Sequence, residues 1–200
     1  DGTLWTWGIN NQGQLGQGNE VGYSSPKQVG TNTNWETLSK GGEFSNVAMA
    51  TKTDGTLWVW GSNYQSGILG QNQGGNVKIS SPMQIGTDTS WHGVSINGNQ
   101  DDAAAVLAMK TNGTLWSWCT ASKGKLGLGN SNTQRSSPTQ IGTDTDWGTG
   151  SYTGTANRAD YTFTMGGQQA GCLKTDGTLW TWGDGNYGSL GHNNRSDYNS

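Results

Sequence analysis

The sequence predicts an all-β protein: a β-propeller fragment of three full blades plus part of a fourth, with four antiparallel strands to a blade. Three observations predict it. The phrase Asp-Gly-Thr-Leu-Trp-Thr-Trp-Gly at 1–8 returns with small changes at 54–61, 112–119 and 176–183. A second phrase, running from Ser-Ser-Pro to a Trp, spans 24–35, 80–91 and 136–147. Turn signals punctuate both, and no helical period of apolar residues occurs. The first phrase starts at 1, 54, 112 and 176, a spacing of roughly 50–65 residues, in the range of propellers, solenoids or arrays. Drift in that spacing means loops of different length on a constant frame.

Each strand can be justified in turn. Apolar runs at 47–53, 105–111 and 170–175 end in Lys-Thr. Asp-Gly or Asn-Gly follows, the signal for a two-residue type I′ hairpin turn with φ > 0 at both central residues. In that register Thr53 faces Thr56, and Thr111 faces Thr114, as cross-strand pairs. In the next strand Trp58 and Trp60 share one face while Leu57 and Val59 share the other, so both faces are expected to pack. Glycine-rich turns come next, at 13–18, 67–70, 124–129 and 188–191, each carrying a Leu expected to plug the core. Pro26, Pro82 and Pro138, the only prolines, mark the start of a third, edge strand. Trp35, Trp91 and Trp147 begin the fourth. The repeat units are approximately 1–53, 54–111, 112–175 and a partial 176–200. All eleven tryptophans (Trp5, Trp7, Trp35, Trp58, Trp60, Trp91, Trp116, Trp118, Trp147, Trp180 and Trp182) occupy these periodic slots and read as structural.

Composition alone leans the other way. The apolar fraction is 30%, charged residues are 12%, and 34 residues are Gly, values that lean toward low complexity. The tryptophans reverse this, because each buries roughly 150–250 Å². A net charge of −3 gives no electrostatic footprint for nucleic acid or an anionic membrane. No apolar run approaches the roughly 20 residues of a membrane span. The chain opens inside a repeated phrase, so it is expected to be an excerpt of a longer protein.

Together these elements resemble one known repeat. A strand ending Leu-Trp-x-Trp-Gly, an Asn-x-x-Gly-x-Leu-Gly turn from Asn10 to Gly16, a Pro-x-x-(Val/Ile) strand and a Trp-x-x-(Val/Leu) strand are similar to the repeat of the RCC1 (regulator of chromosome condensation) family. The resemblance covers nearly the whole chain. It implies a propeller, typically seven-bladed, completed by the remaining blades of a longer chain or by self-association. The family's founding activity, nucleotide exchange on a small GTPase with nucleosome docking, rests on loops and a basic segment that have no match here, so it does not transfer. Phe44-Ser45 stands where the family often has His-Ser, and Cys119 replaces the glycine after the second tryptophan.

Searching for chemistry returns little. His92 and His192 each occur in one unit without a partner pattern. No nucleophile elbow, zinc-protease or phosphate-loop motif is present, so no enzymatic activity, catalytic residue or cofactor is expected. The segments 31–34, 87–90 and 143–146 present Asn and Asp oxygens of the type calcium takes. Asx-turn capping explains them equally, and no metal is assigned. Cys119 and Cys172 read as buried free thiols, a pairing depending on their Cα separation. Asn112 heads a glycosylation sequon but also suits a hairpin turn. Function in repeat proteins sits in variable loops. The largest insertion, 148–169, offers Tyr152, Arg158, Asp160 and Tyr161 as a contact patch, although 161–165 also reads as a blade strand. The leading expectation is a non-enzymatic recognition or structural module of an extracellular or virion-surface protein, binding a glycan or a protein surface. That setting rests on a resemblance to RCC1-like repeats of secreted bacterial and tailed-phage proteins. The alternatives are an intracellular RCC1-type regulator or scaffold acting in GTPase exchange, and a secreted propeller that inhibits an enzyme.

Overall fold

The repeated phrases fold into four antiparallel sheets in the computed structural model, which describes residues 1–40, 46–63, 67–97, 104–130, 133–148 and 162–199. The first sheet holds β1 (Trp5–Gly8) and β2 (Tyr23–Gln28). The second runs β3 (Trp35–Leu38), β4 (Val47–Lys52), β5 (Leu57–Ser62) and β6 (Lys78–Gln84), each beside the next. The third repeats this with β7 (Trp91–Asn97), β8 (Ala105–Lys110), β9 (Leu115–Cys119) and β10 (Arg135–Gln140). The fourth holds β11 (Phe163–Met165), β12 (Gln169–Leu173) and β13 (Leu179–Gly183). Among the described residues four blades are thus represented, two of them with all four strands. Each full blade straddles a boundary of the sequence repeat, because the Asp-Gly hairpin joins the two central strands. Strand β11 occupies part of the 161–165 stretch.

The hairpin differs from the type I′ expectation. Lys52 N donates to Thr56 O at 3.0 Å, and Gly55 N donates to Lys52 O at 2.8 Å. Only Gly55 of the connection has positive φ, at 76°. The connection is therefore three residues, Thr53–Asp54–Gly55, in the pattern of a turn closed by a glycine bulge. Lys52, not Thr53, opposes Thr56, and Lys110 likewise opposes Thr114 through a 3.0 Å bond. The side-chain oxygen of the Asp or Asn before the glycine explains the choice. Asp54 Oδ1 accepts from the Thr56 amide at 3.0 Å and its hydroxyl at 2.6 Å, which fixes Asp54 outside the left-handed region. Gly55 is also required by contact, since a Cβ there would lie 2.0 Å from Thr89 O.

The prolines mark bulges rather than strand starts. They lie inside the outer strands β2, β6 and β10. Pairing skips from Ile79 to Met83 along β6, from Tyr23 to Lys27 along β2 and from Arg135 to Thr139 along β10. Ser-Ser-Pro is the skipped segment each time, because proline has no N–H for the ladder.

The core lies between successive sheets. Leu4, Val29, Trp35, Ala50 and Trp60 fill the first junction. Val47, Val59, Leu69, Val94, Val106 and Trp118 lie in the second. Leu107, Leu126, Phe163 and Trp182 lie in the third. Leu15, Leu69, Leu126 and Leu190 are buried, as the plug reading requires. In three of the four blades one tryptophan staples the sheet to the turn before. Trp60 Nε1 donates to Gln14 O, Trp118 Nε1 to Ile68 O and Trp182 Nε1 to Lys125 O, each at 2.9 Å. The turn glycine makes room: a Cβ on Gly127 would sit 2.8 Å from Trp182 Nε1. Trp7, at the position equivalent to Trp60, is 58% exposed. Backbone bonds from Lys40 N to Val94 O and from Ile96 N to Lys40 O tie β3 to β7, so strands that begin with the second-phrase tryptophan face one another across the blades. Cys119 and Cys172 are both buried and are not joined in a disulfide, and burial pushes the Cys172 thiol up to about 12.

Candidate binding site between the units

The lysine that precedes each hairpin organises a recurring cluster. Lys52 ends β4 and Trp58 lies beside it on β5, while Trp35 opens β3. Lys52 Nζ stands 3.9 Å from the centroid of Trp58 and 4.7 Å from that of Trp35. In the next blade Lys110 Nζ is 3.7 Å from Trp116 and 4.6 Å from Trp91. In the last, Lys174 Nζ is 4.8 Å from Trp147 and 5.2 Å from Trp180. Each ammonium meets two indole faces, an attraction of about 0.5–2 kcal/mol depending on desolvation. The rings are fixed in turn. Trp58 Nε1 donates to Thr56 Oγ1 at 2.7 Å, and that hydroxyl donates to Asp54 Oδ1. The same relay recurs at Asn112, Thr114 and Trp116 and at Asp176, Thr178 and Trp180. Trp35 stands edge-on to Trp58 with centroids 6.0 Å apart, and Trp91 to Trp116 at 5.9 Å, the arrangement that ring quadrupoles favour.

Above each lysine, one position decides the charge. It is Asn32, Asp88 or Asp144 in successive units. Asp88 Oδ2 lies 2.5 Å from Lys110 Nζ, and its Oδ1 accepts from the Ser90 amide and hydroxyl. Asp144 Oδ2 lies 2.5 Å from Lys174 Nζ, with Asp146 Oδ1 at 3.0 Å from the same nitrogen. Burial works against the Asp88 carboxylate, but hydrogen bonds from Lys110 and Ser90 together hold it below the usual carboxylate range. The hydrogen bond to Asp144, opposed by burial, raises the Lys174 ammonium above its ordinary value. Lys52 differs. It is 5% exposed, no carboxylate among the described residues pairs with it, and burial lowers its pKa against a smaller pull from Asp54.

Pockets open beside two of these clusters, at equivalent positions. One of about 270 Å³ lies between the first two units, lined by Gln17, Gly30, Asn32, Trp35, Trp58 and Pro82 among others. Its counterpart, of about 400 Å³, is lined by Gln71, Gly86, Asp88, Trp91, Lys110 and Trp116 among others. Gln17 Nε2 donates to Lys27 O and Gln71 Nε2 to Gln84 O, so both amides hold the rim.

The sequence-derived contact residues Tyr152, Arg158, Asp160 and Tyr161 lie outside the described residues. The tryptophans divide by slot: Trp60, Trp118 and Trp182 are core staples, whereas Trp58, Trp116 and Trp180 form the lysine clusters. Asp88 caps its own turn, as the Asx reading anticipates. Among the described residues no group of three or more His, Cys, Asp or Glu is placed to hold a metal ion, and no helix is long and apolar enough to cross a membrane. His192 packs edge-on against Tyr198 and shares a hydrogen bond with the Thr181 hydroxyl. Sequence reasoning missed the lysine clusters. The available signal was a Lys two residues before Asp/Asn-Gly in three of the four units.

Comparison with known proteins gives one consistent picture. The family model of the Regulator of chromosome condensation (RCC1) repeat matches residues 1–48 and 176–200. The human E3 ubiquitin-protein ligase HERC2 is 31% identical over 98% of this chain, which spans 4% of that protein. The mitochondrial RCC1 domain-containing protein RUG3 of Arabidopsis thaliana is 31% identical over 95% of the chain, which spans 40% of it. Among solved structures, human WBSCR16 superimposes over 99% of this chain and 47% of its own, with a TM-score of 0.72 at 19% identity. Prp20p of Saccharomyces cerevisiae superimposes over 98% and 45%, with a TM-score of 0.74 at 16% identity. The fold is that of RCC1 propellers, and the chain spans less than half of each of these proteins.

Proposed function

With the RCC1 repeat family supported by the family model, by relatives aligned along nearly the whole chain and by the propeller fold, we propose that this chain is a non-enzymatic protein-recognition segment. The observation that carries this reading is the repetition of one pocket at one repeat position, on a frame stapled together by indole–carbonyl bonds. A concave, largely apolar site with a few oriented polar groups is what an anchoring side chain of a partner fills. A rigid frame lowers the cost of binding, because little is ordered when the partner arrives. Prp20p, of the same fold, is described with its binding to Gsp1p and histones, an instance of protein partners on such a propeller.

Footprinting of the complex with a purified partner tests this. Trp58, Trp116, Pro82 and Pro138 should be protected from oxidative labelling when the partner is bound. Protection confined to other surfaces would overturn the pocket assignment, as would binding to glycans and to no protein. Loss of binding in Tyr152→Ala/Tyr161→Ala, with the pocket residues unprotected, would move the contact to the 148–163 segment.

A further inference from the structure

We propose that the pocket between the first two units docks an acidic side chain of a protein partner, its carboxylate taking beside Lys52 the place that Asp88 and Asp144 hold in the next two units. The inference rests on the protein-recognition reading and names the chemistry of the anchor.

Three observations carry it. The first is a cation that pairs with no carboxylate among the described residues. Lys52 is 5% exposed as a residue, and its ammonium rests on the faces of Trp35 and Trp58. Asp54, two residues on, uses its Oδ1 on the Thr56 amide and hydroxyl. The equivalent lysines of the next two blades are each paired with a carboxylate, so this ammonium is the one of the three whose partner position carries none. The second is the identity of the missing group. The chain itself supplies a carboxylate to Lys110 and to Lys174, each at 2.5 Å. Those two pairs show that the Lys–Trp–Trp geometry accepts an oxyanion, and from the side on which Asp88 and Lys110 line their pocket together. The third is access. The equivalent pocket of about 270 Å³ is open and lined by Asn32 and by Trp35 and Trp58, the two rings against which Lys52 Nζ lies. Asn32 presents an amide where its counterparts present a carboxylate, so it leaves the ammonium unneutralised. Burial already disfavours the charged form of Lys52, and an arriving carboxylate would reverse that.

The test uses N-acetylglutamate methylamide as the probe and the neutral glutamine analogue as its control, with the indole N–H resonances of the whole chain as the readout. The glutamate probe should shift the Trp58 and Trp35 signals saturably, with a dissociation constant of roughly millimolar order, as one charge-assisted contact allows. The glutamine analogue should leave them unmoved. Asn32→Asp restores the internal carboxylate and should weaken the probe by at least about fivefold, the equivalent of a modest ion pair. Lys52→Met should abolish the response. Equal shifts with glutamine, or an undiminished response in Asn32→Asp, would overturn the proposal. A partner that footprints on the pockets while the glutamate probe stays silent would sink this inference alone. Probe binding without any protein partner would sink the broader reading instead.

Discussion

Lys52 and Lys110 occupy the same place in successive blades, each above two indoles at closely similar distances, yet one is neutralised by the chain and the other is not. Asn32 against Asp88 accounts for the difference. The backbone treats the two positions alike, since both precede a tryptophan whose amide bonds to the hairpin glycine: Trp35 N to Gly2 O at 3.0 Å and Trp91 N to Gly55 O at 2.9 Å. What differs is electrostatic. The second cluster is a closed unit of cation, carboxylate and rings, whereas the first is the same unit with one member left out. Repetition makes this legible, because each blade serves as a control for the next.

The frame beneath both clusters should respond most strongly. Trp91→Ala removes a ring that is 4% exposed in the larger second junction, and should cost about 3–5 kcal/mol by the usual loss for a buried large aromatic. Trp35→Ala, at the smaller first junction, should fall at the lower end of that range. Urea unfolding of both variants checks this. Equal and small losses would mean that the two junctions are not built on their tryptophans.

The next effect separates the clusters by charge. Asp88→Ala leaves the Lys110 side chain, 9% exposed, without its carboxylate. The cost should be about 1 kcal/mol, because Asp88 itself remains 39% exposed and its charge is screened by solvent. The native carboxylate has a pKa below its ordinary 3.8. Its contribution is therefore fully present above the unfolded value and lost as pH falls through the lower native one. Stability curves of wild type and variant should converge in that acid window. Asn32→Ala should show neither the loss nor the convergence.

How much of this could be read from the sequence follows from which forces are local. The strands, the glycine turns and the buried leucines were legible, because period and turn chemistry are written in consecutive residues. The hairpin type was not. Asp-Gly and Asn-Gly signal both two- and three-residue connections, and here the decision fell to the Oδ1 of Asp54 or Asn112 bonding the Thr two residues on. The prolines signalled an edge strand, but the three-residue bulge around Ser-Ser-Pro depends on the partner strand. The lysines were hidden for a different reason. A lysine at a strand end ordinarily trails into water, and only the approach of two rings, Trp58 across the hairpin and Trp35 from the strand on the other side, turns it inward. The Asn32/Asp88/Asp144 position drew attention for its oxygens as possible calcium donors. Its second partner turns out to be an ammonium 22 residues away in the case of Asp88 and Lys110.

The smallest effect is the sharpest, because it converts one region into the other by a single substitution. Asn32→Asp places a carboxylate where Asp88 stands one unit later, without changing side-chain size. If the two clusters are equivalent apart from charge, the variant should gain up to about 1 kcal/mol, the range of a partly exposed ion pair. The Lys52 pKa should rise, since a carboxylate favours the charged form that burial now penalises. At present that lowered pKa works against folding at neutral pH, and the penalty is relieved as pH rises through the native value toward the ordinary 10.5. In the variant the sign reverses. Lysine pairing would then contribute fully below 10.5 and be lost only as pH climbs through the raised value. Urea unfolding of wild type and variant from neutral to alkaline pH reads both curves. Opposite slopes would confirm that a missing carboxylate is what sets the first cluster apart; parallel slopes would mean that Lys52 is neutralised by something other than the position of Asn32.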